Sequence, residues 1–310
     1  MGGKRARTNA RSRPGFDRRA SAKRGRRRGP LAILIGGGLL AVALAALLVV
    51  RPWADEGDAV PWSTLGTADV HSLAFDSGDA SRLYFGHHGG LLESRDGGRR
   101  WQATTLSGAD AMSVSAAEQR MQIAGHDVYL ESTDGGASWQ PVPNDLRGLD
   151  LHAFAVDPGD PDHSWAFAAG FGLFETTDAG RHFTLRQPGT WGSLVAYREG
   201  DAAVLIAVGD QGLARSRDGG ARWEPLTYPG APLAGGLAAA ADGSALYAGT
   251  SAGLRRSTDG GASWQTTAFT GVAMAVALAP GDPLAVAIVD EATRFYRSAD
   301  GGATWPGPDG

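Results

Sequence analysis

The sequence predicts an all-β fold built as a closed ring of six four-stranded sheets, preceded by one membrane-spanning helix. Two observations predict the ring. The first is an octet of pattern Ser/Thr-x-Asp-x-Gly-x-x-Trp/Phe that occurs six times. Its copies carry Ser94, Asp96, Gly98 and Trp101; Ser132, Asp134, Gly136 and Trp139; Thr176, Asp178, Gly180 and Phe183; Ser216, Asp218, Gly220 and Trp223; Ser257, Asp259, Gly261 and Trp264; and Ser298, Asp300, Gly302 and Trp305. The second is the spacing: successive box aspartates stand 38, 44, 40, 41 and 41 residues apart. A period near forty marks an array of one supersecondary unit, and four short antiparallel strands per period make a six-bladed β-propeller. The helix rests on a third observation, the twenty uncharged residues from Leu31 to Val50.

Taken in chain order, residues 1–30 hold twelve of the 29 Lys/Arg and only one acid, Asp17, so the remainder of the chain is acidic although the net charge is only −4. This Gly/Arg/Ser-rich tail has almost no apolar content and is expected to be disordered and cytoplasmic. The run 31–50 matches a hydrocarbon core of about 30 Å at 1.5 Å per residue. The basic block before it is expected to stay inside, so the rest of the chain is exported, N-terminus cytoplasmic and propeller extracytoplasmic. An uncleaved signal anchor is read rather than a cleaved peptide, because the small-residue triplet Ala43-Leu44-Ala45 lies inside the apolar run. The tail then contacts anionic lipid, and no nucleic-acid partner is expected. Residues 51–59 are a linker reaching at most about 30 Å, which holds the domain near the bilayer. With no cysteine, disulfides, thiolate metal sites and cysteine nucleophiles are excluded. A monomer is expected.

The propeller is assigned to residues 60–310. Each octet reads as a hairpin turn between the third and fourth strands of a blade. Its glycines supply positive φ, its Asp and Ser close the turn through their own backbone, and its aromatic begins the returning strand. The fifth repeat shows the unit: strands over 237–241, 246–249, 254–257 and 264–269. Residues 51–69 are too few for a seventh blade. Residues 306–310 cannot supply an outer strand for the sixth, so the segment 61–65 is expected to finish the last blade and close the ring.

These octets resemble the Asp-box (bacterial neuraminidase, BNR) repeats of sialidase- and sortilin-like β-propellers, and the resemblance covers nearly all the chain after residue 60. It implies that the boxes are architecture and that ligands sit at the channel mouth on the opposite face. There the second-to-third-strand turns and the links between blades present His71, His87, His88, His126, His152, Phe171 and Trp191 as ligand-face candidates. The other two histidines, His163 and His182, fall on the box side. Histidines facing carboxylates are a combination able to bind a divalent ion or move protons. No two of them show a recognised metal-ligand spacing beyond adjacency, so no metal and no cofactor is assigned.

Two functional classes follow. Sialidases use an arginine triad and an Arg-Ile-Pro-type motif. Here that motif is absent, most arginines lie in or just before boxes, and only Arg147 and Arg294 could reach the mouth. A different glycoside hydrolase would need paired carboxylates, for which Asp210, Asp290 and Glu291 are the candidates. The other class is a non-catalytic protein- or glycan-binding or assembly module, as the resemblance to sortilin-type receptors and photosystem II assembly factors implies. This second reading is preferred, with the glycosidase as its alternative.

Overall fold

Each repeat folds as its own antiparallel sheet, because its central strands are apolar on both faces and must be covered on both. The computed structural model describes residues 59–66, 69–117, 120–210 and 212–306. The basic tail, the apolar run 31–50 and the linker up to residue 58 lie outside the described residues. Among the described residues no helix is long and apolar enough to cross a membrane.

A short strand β1 (Val60–Pro61) comes first. Blade 1 is β2 (Ser72–Asp76), β3 (Asp79–His87), β4 (Gly90–Ser94) and β5 (Arg100–Ser107). Blade 2 is β6 (Ser113–Ala116), β7 (Met121–Gly125), β8 (Val128–Ser132) and β9 (Gln140–Pro141). Blade 3 is β10 (Leu151–Asp157), β11 (Asp160–Ala168), β12 (Gly172–Thr176) and β13 (Thr184–Gln187). Blade 4 is β14 (Trp191–Glu199), β15 (Ala202–Gly209), β16 (Gly212–Ser216) and β17 (Glu224–Pro225). Blade 5 is β18 (Leu233–Ala239), β19 (Leu246–Thr250), β20 (Gly253–Ser257) and β21 (Gln265–Thr266). Blade 6 has three strands, β22 (Ala273–Ala279), β23 (Asp282–Asp290) and β24 (Phe295–Ser298). Strands pair in sequence order within every blade. The innermost strands β2, β6, β10, β14, β18 and β22 contact one another in that order, and β22 returns to β2.

The outer edges are blunted. Blades 2 and 4 end on two-residue strands that finish in Pro141 and Pro225, which have no N–H to offer a further strand. The longest outer strand, β5, is covered by β1, with Val60 opposite Trp101 and Pro61 opposite Arg100. This corrects the expected closure. Residues 60–61 extend blade 1, not blade 6, and residues 62–64 turn into a single 3-10 turn instead of continuing as a strand. The physical reason is Pro61, which cannot donate to a ladder.

The segment still ties the ring, by a side chain. Trp62 wedges between the first and last blades, 4.9 Å from the Phe85 ring, 5.2 Å from Trp101 and 5.7 Å from Phe295. Its indole N–H donates to the Thr293 carbonyl at 2.5 Å. One buried cluster joins Leu73, Phe75, Leu83, Phe85 and Trp101 of blade 1 to Ala275, Ala277, Ala287 and Val289 of blade 6. Small alanines on one side leave room for the large rings on the other.

The six boxes are one structure repeated. In each, the Ser/Thr hydroxyl donates to the box Asp and accepts the N–H of the second glycine; for Ser257 these are 2.8 Å to Asp259 and 2.9 Å from Gly261. The Asp also accepts the N–H four residues on, at 2.9 Å from Ser263. The two residues before the x-x-Trp step take positive φ, which explains Gly-Gly; the third box has Ala179 there at φ 66°. Arginines dock the boxes between blades. Arg82 donates to the Gly135 carbonyl, Arg120 to Ala179, Arg186 to Gly219 and Arg215 to Gly260. Arg297 of blade 6 donates to Gly97 of the first box at 3.1 Å, across the junction of the last blade with the first.

Candidate functional site

The box turns pack on the starts of the second strands, with Gly97 N–H on the Ser81 carbonyl and Gly301 N–H on Leu284, so they share a rim with the first turns of each blade. The opposite rim carries the second-to-third-strand turns and the inter-blade links. On it, blades 1 to 3 assemble a row of alternating imidazoles and carboxylates: Asp69, His88, His71, Asp110, His126, Asp150 and His152.

Backbone crowding positions the row. A Cβ on Gly86 would lie 2.3 Å from the Ala111 carbonyl oxygen, and one on Gly125 would lie 1.9 Å from that of Asp110. These glycines let the link around Asp110 press against the turns bearing His87–His88 and His126. An isolated bridge between His126 and Asp150 holds the next link in the same way.

The contacts are close. His88 Nδ1 lies 2.7 Å from Asp69 Oδ2, whose same oxygen accepts the His88 backbone N–H at 2.7 Å. His71 Nε2 lies 3.1 Å from His88 Nδ1, 3.4 Å from Asp69 Oδ2 and 3.3 Å from Asp110 Oδ1. The other Asp110 oxygen is 2.6 Å from His126 Nδ1. Asp150 Oδ1 stands 3.5 Å from His126 Nε2 and 2.9 Å from His152 Nε2. Both Asp110 oxygens are buried, and despite these short distances no donor is aligned on either as a hydrogen bond. Burial lowers the pKa of His71, with the neighbouring His88 acting in the same sense against Asp110 and Asp69. His71 is therefore neutral near pH 7, with a lone pair available. Burial pushes the Asp69 carboxyl up, but hydrogen bonds from the His88 backbone and ring outweigh it, and the carboxyl stays below its ordinary range.

Of the sequence candidates, His71, His88, His126 and His152 are brought together. His87 is held apart: its Nδ1 accepts the Gly89 N–H at 3.1 Å and its ring stacks on Phe85. Phe171 is 42% exposed at the tip of its turn in blade 3. Trp191 is no platform for a ligand, because it is buried at the start of β14 with its ring 4.3 Å from that of Trp223. Asp290 is buried inside its own turn. It accepts N–H groups of Ala292 and Arg294 at 3.0 and 2.8 Å and pairs with the Arg294 guanidinium at 2.7 Å, so its oxygens hold the turn. Asp210 and Glu291 are exposed on theirs. The links supplied what sequence reading missed: Asp69, Asp110, Asp150 and the exposed Tyr228. His163 and His182 sit on the box rim as expected, against Glu175 and Asp178.

A closed ring of six Asp-box blades with its boxes on one rim defines the class, a BNR-type β-propeller. The chain belongs to the family whose model is described as photosynthesis system II assembly factor YCF48, which matches residues 55–305. No curated protein sequence matches it. Among solved structures it is similar to a GH74 enzyme of Niastella koreensis, with a TM-score of 0.54, 16% identity, and coverage of 77% of this chain and 47% of that one. The chain thus spans about half the length of that enzyme. It is also similar to YCF48 bound to D1 peptide, at TM-score 0.51, 22% identity, and 77% and 82% coverage. For YCF48 from Cyanidioschyzon merolae the values are 0.50, 20%, 80% and 86%. At these identities the structures speak for the fold alone.

Proposed function

We propose that this chain is a membrane-anchored, extracytoplasmic binding or assembly module that catalyses nothing and takes a polypeptide partner on the rim opposite its Asp boxes. The observation that carries the reading is the character of that rim. It exposes two large aromatics, Phe171 in blade 3 and Tyr228 in the link between blades 4 and 5, at 42% and 55%, and a polar histidine–carboxylate row along blades 1 to 3. Aromatic anchors within a polar surround are the composition of protein-recognition surfaces. Family membership supports the same class, and one similar structure holds a peptide. The glycosidase alternative loses its best-placed carboxylate, since Asp290 is bound to Arg294.

The test uses a photo-crosslinking residue at one position per variant of the full-length chain in its native membrane. Adducts are expected from Phe171 and Tyr228 and not from Ala137 or Ala303 on the box rim. Adducts from the box positions alone would reverse the assignment. The tether rests on the apolar run 31–50 and the basic block before it. As the chain has no cysteine, a single Cys introduced at Ala303 should react with a membrane-impermeant maleimide on intact cells, whereas one at Ser12 should not. Labelling at residue 12 would remove the topology.

A further inference from the structure

Among the described residues, the histidine–carboxylate row holds every group of three or more such donors close enough to share a cation. Three overlapping groups in it place donor atoms within 4.8 Å of one another: Asp69, His71 and His88; His88, Asp110 and His126; and His126, Asp150 and His152. We propose that the first of these groups is a binding site for a divalent late-transition-metal ion of the zinc class, with Asp110 facing it from the next link. The ligands would be His71 Nε2, His88 Nδ1 and Asp69 Oδ2, with water in the fourth position.

Geometry argues first. In a tetrahedral site with bonds of about 2.0–2.1 Å, neighbouring donor atoms stand roughly 3.3 Å apart. From His71 Nε2 the other two donors lie at 3.1 and 3.4 Å. The pair His88 Nδ1 and Asp69 Oδ2 is closer, at 2.7 Å, as a proton shared between them requires, and opens when that proton is displaced by a cation.

Asp69 argues second, because its Oδ2 faces both imidazoles, 3.4 Å from His71 Nε2 and 2.7 Å from His88 Nδ1. Asp110 argues third and independently. Its side chain is only 12% exposed, and both oxygens lack an aligned donor. A buried carboxylate without aligned donors is costly, and a cation at the shared centre would neutralise it together with Asp69. Two imidazoles with a carboxylate suit zinc and its neighbours, whereas calcium and magnesium prefer all-oxygen shells. The second oxygen of Asp110 faces His126, so the carboxylate also orients the next imidazole of the row. A bound ion would join the link before blade 2 to the entry and turn of blade 1, pinning the surface on which we place the partner. The site is independent of that reading, because metal binding is measured without a partner.

The experiment is calorimetric titration of the tag-free full-length chain, stripped with EDTA, with zinc chloride. One saturable equivalent is expected, with a Tm rise of a few degrees in excess zinc, and magnesium chloride should not compete. His71→Ala, His88→Ala and Asp110→Asn should each weaken zinc binding by about tenfold or more. His182→Ala, on the box rim, should bind as the parent does. His88 is 60% exposed and is the variant least able to disturb the fold. Its metal-free Tm is expected to equal the parent's while its zinc affinity falls. No saturable binding, or an unchanged affinity in His88→Ala, would overturn the site.

Discussion

The two rims of this propeller are built from the same residue types used in opposite ways. On the box rim every box aspartate is spent on its own turn. Asp134, Asp259 and Asp300 each accept a Ser or Thr hydroxyl and backbone N–H groups, which hold their carboxyls at about 2. On the other rim Asp110 has no aligned donor, and Asp69 and Asp150 face imidazoles from neighbouring segments. The first arrangement repeats six times and stabilises. The second occurs once among the described residues, spans three blades and leaves donor atoms in three overlapping groups. Repetition therefore marks architecture here, and its interruption marks the surface open to specialisation.

The comparison breaks first at the large rings. Trp101, fully buried behind the first box, sits where blade 1 meets blade 6. Trp101→Ala should cost about 3–5 kcal/mol by chemical denaturation, and Trp62→Ala a similar amount because it removes the wedge that stands in for a closing strand. A loss below 1 kcal/mol in both would show that the ring does not depend on this junction. Next, Ser257→Ala strands the Gly261 N–H inside the turn and should cost about 1–3 kcal/mol. The third box gives a change of opposite sign. Ala179 sits at φ 66° where the other boxes have glycine, so Ala179→Gly should stabilise by about 0.5–1 kcal/mol. On the facing rim, His126→Ala and His152→Ala, both at least 40% exposed, should stay within about 0.5 kcal/mol in the absence of metal.

Acid separates the rims as well. The carboxyls of Asp134, Asp259 and Asp300 have folded pKa values below their ordinary 3.8. Their contribution is fully present above pH 4 and is lost as pH falls towards 2, the protonated aspartates no longer accepting those bonds as strongly. A Tm that falls steeply below pH 4 is expected, and Asp259→Asn should flatten that acid limb. An unchanged limb would remove the boxes as its source.

What the sequence made legible follows from how local each constraint is. The boxes could be read because positive φ, a Ser hydroxyl and an Asp carboxylate settle their turn within eight residues. The common face of His71, His88, His126 and His152 could be read because counting strands fixes which turns share a rim. Asp69, Asp110 and Asp150 could not. They lie in links between blades, whose lengths vary and whose path is set by contacts such as Gly125 against the Asp110 carbonyl. Closure failed for a related reason. Residues 61–65 do resemble the outer strand of the first blade, but Pro61 ends the ladder and the structure uses Trp62 as a plug. Trp191 was misplaced because its neighbour in space, Trp223, is 32 positions away in sequence.

The central claim is that stability resides on one rim and recognition on the other. Its most direct test is a pair of multiple variants of the full-length chain, each measured for Tm and for recovery of the partner captured through Phe171. One carries alanine at His126, His152, Asp210 and Tyr228, the other at Arg99, Arg181 and Arg222 on the box rim. The first should keep the parental Tm and lose recovery at least tenfold, and the second should keep recovery. Retained recovery in the first variant, or its loss in the second at unchanged Tm, would contradict the account.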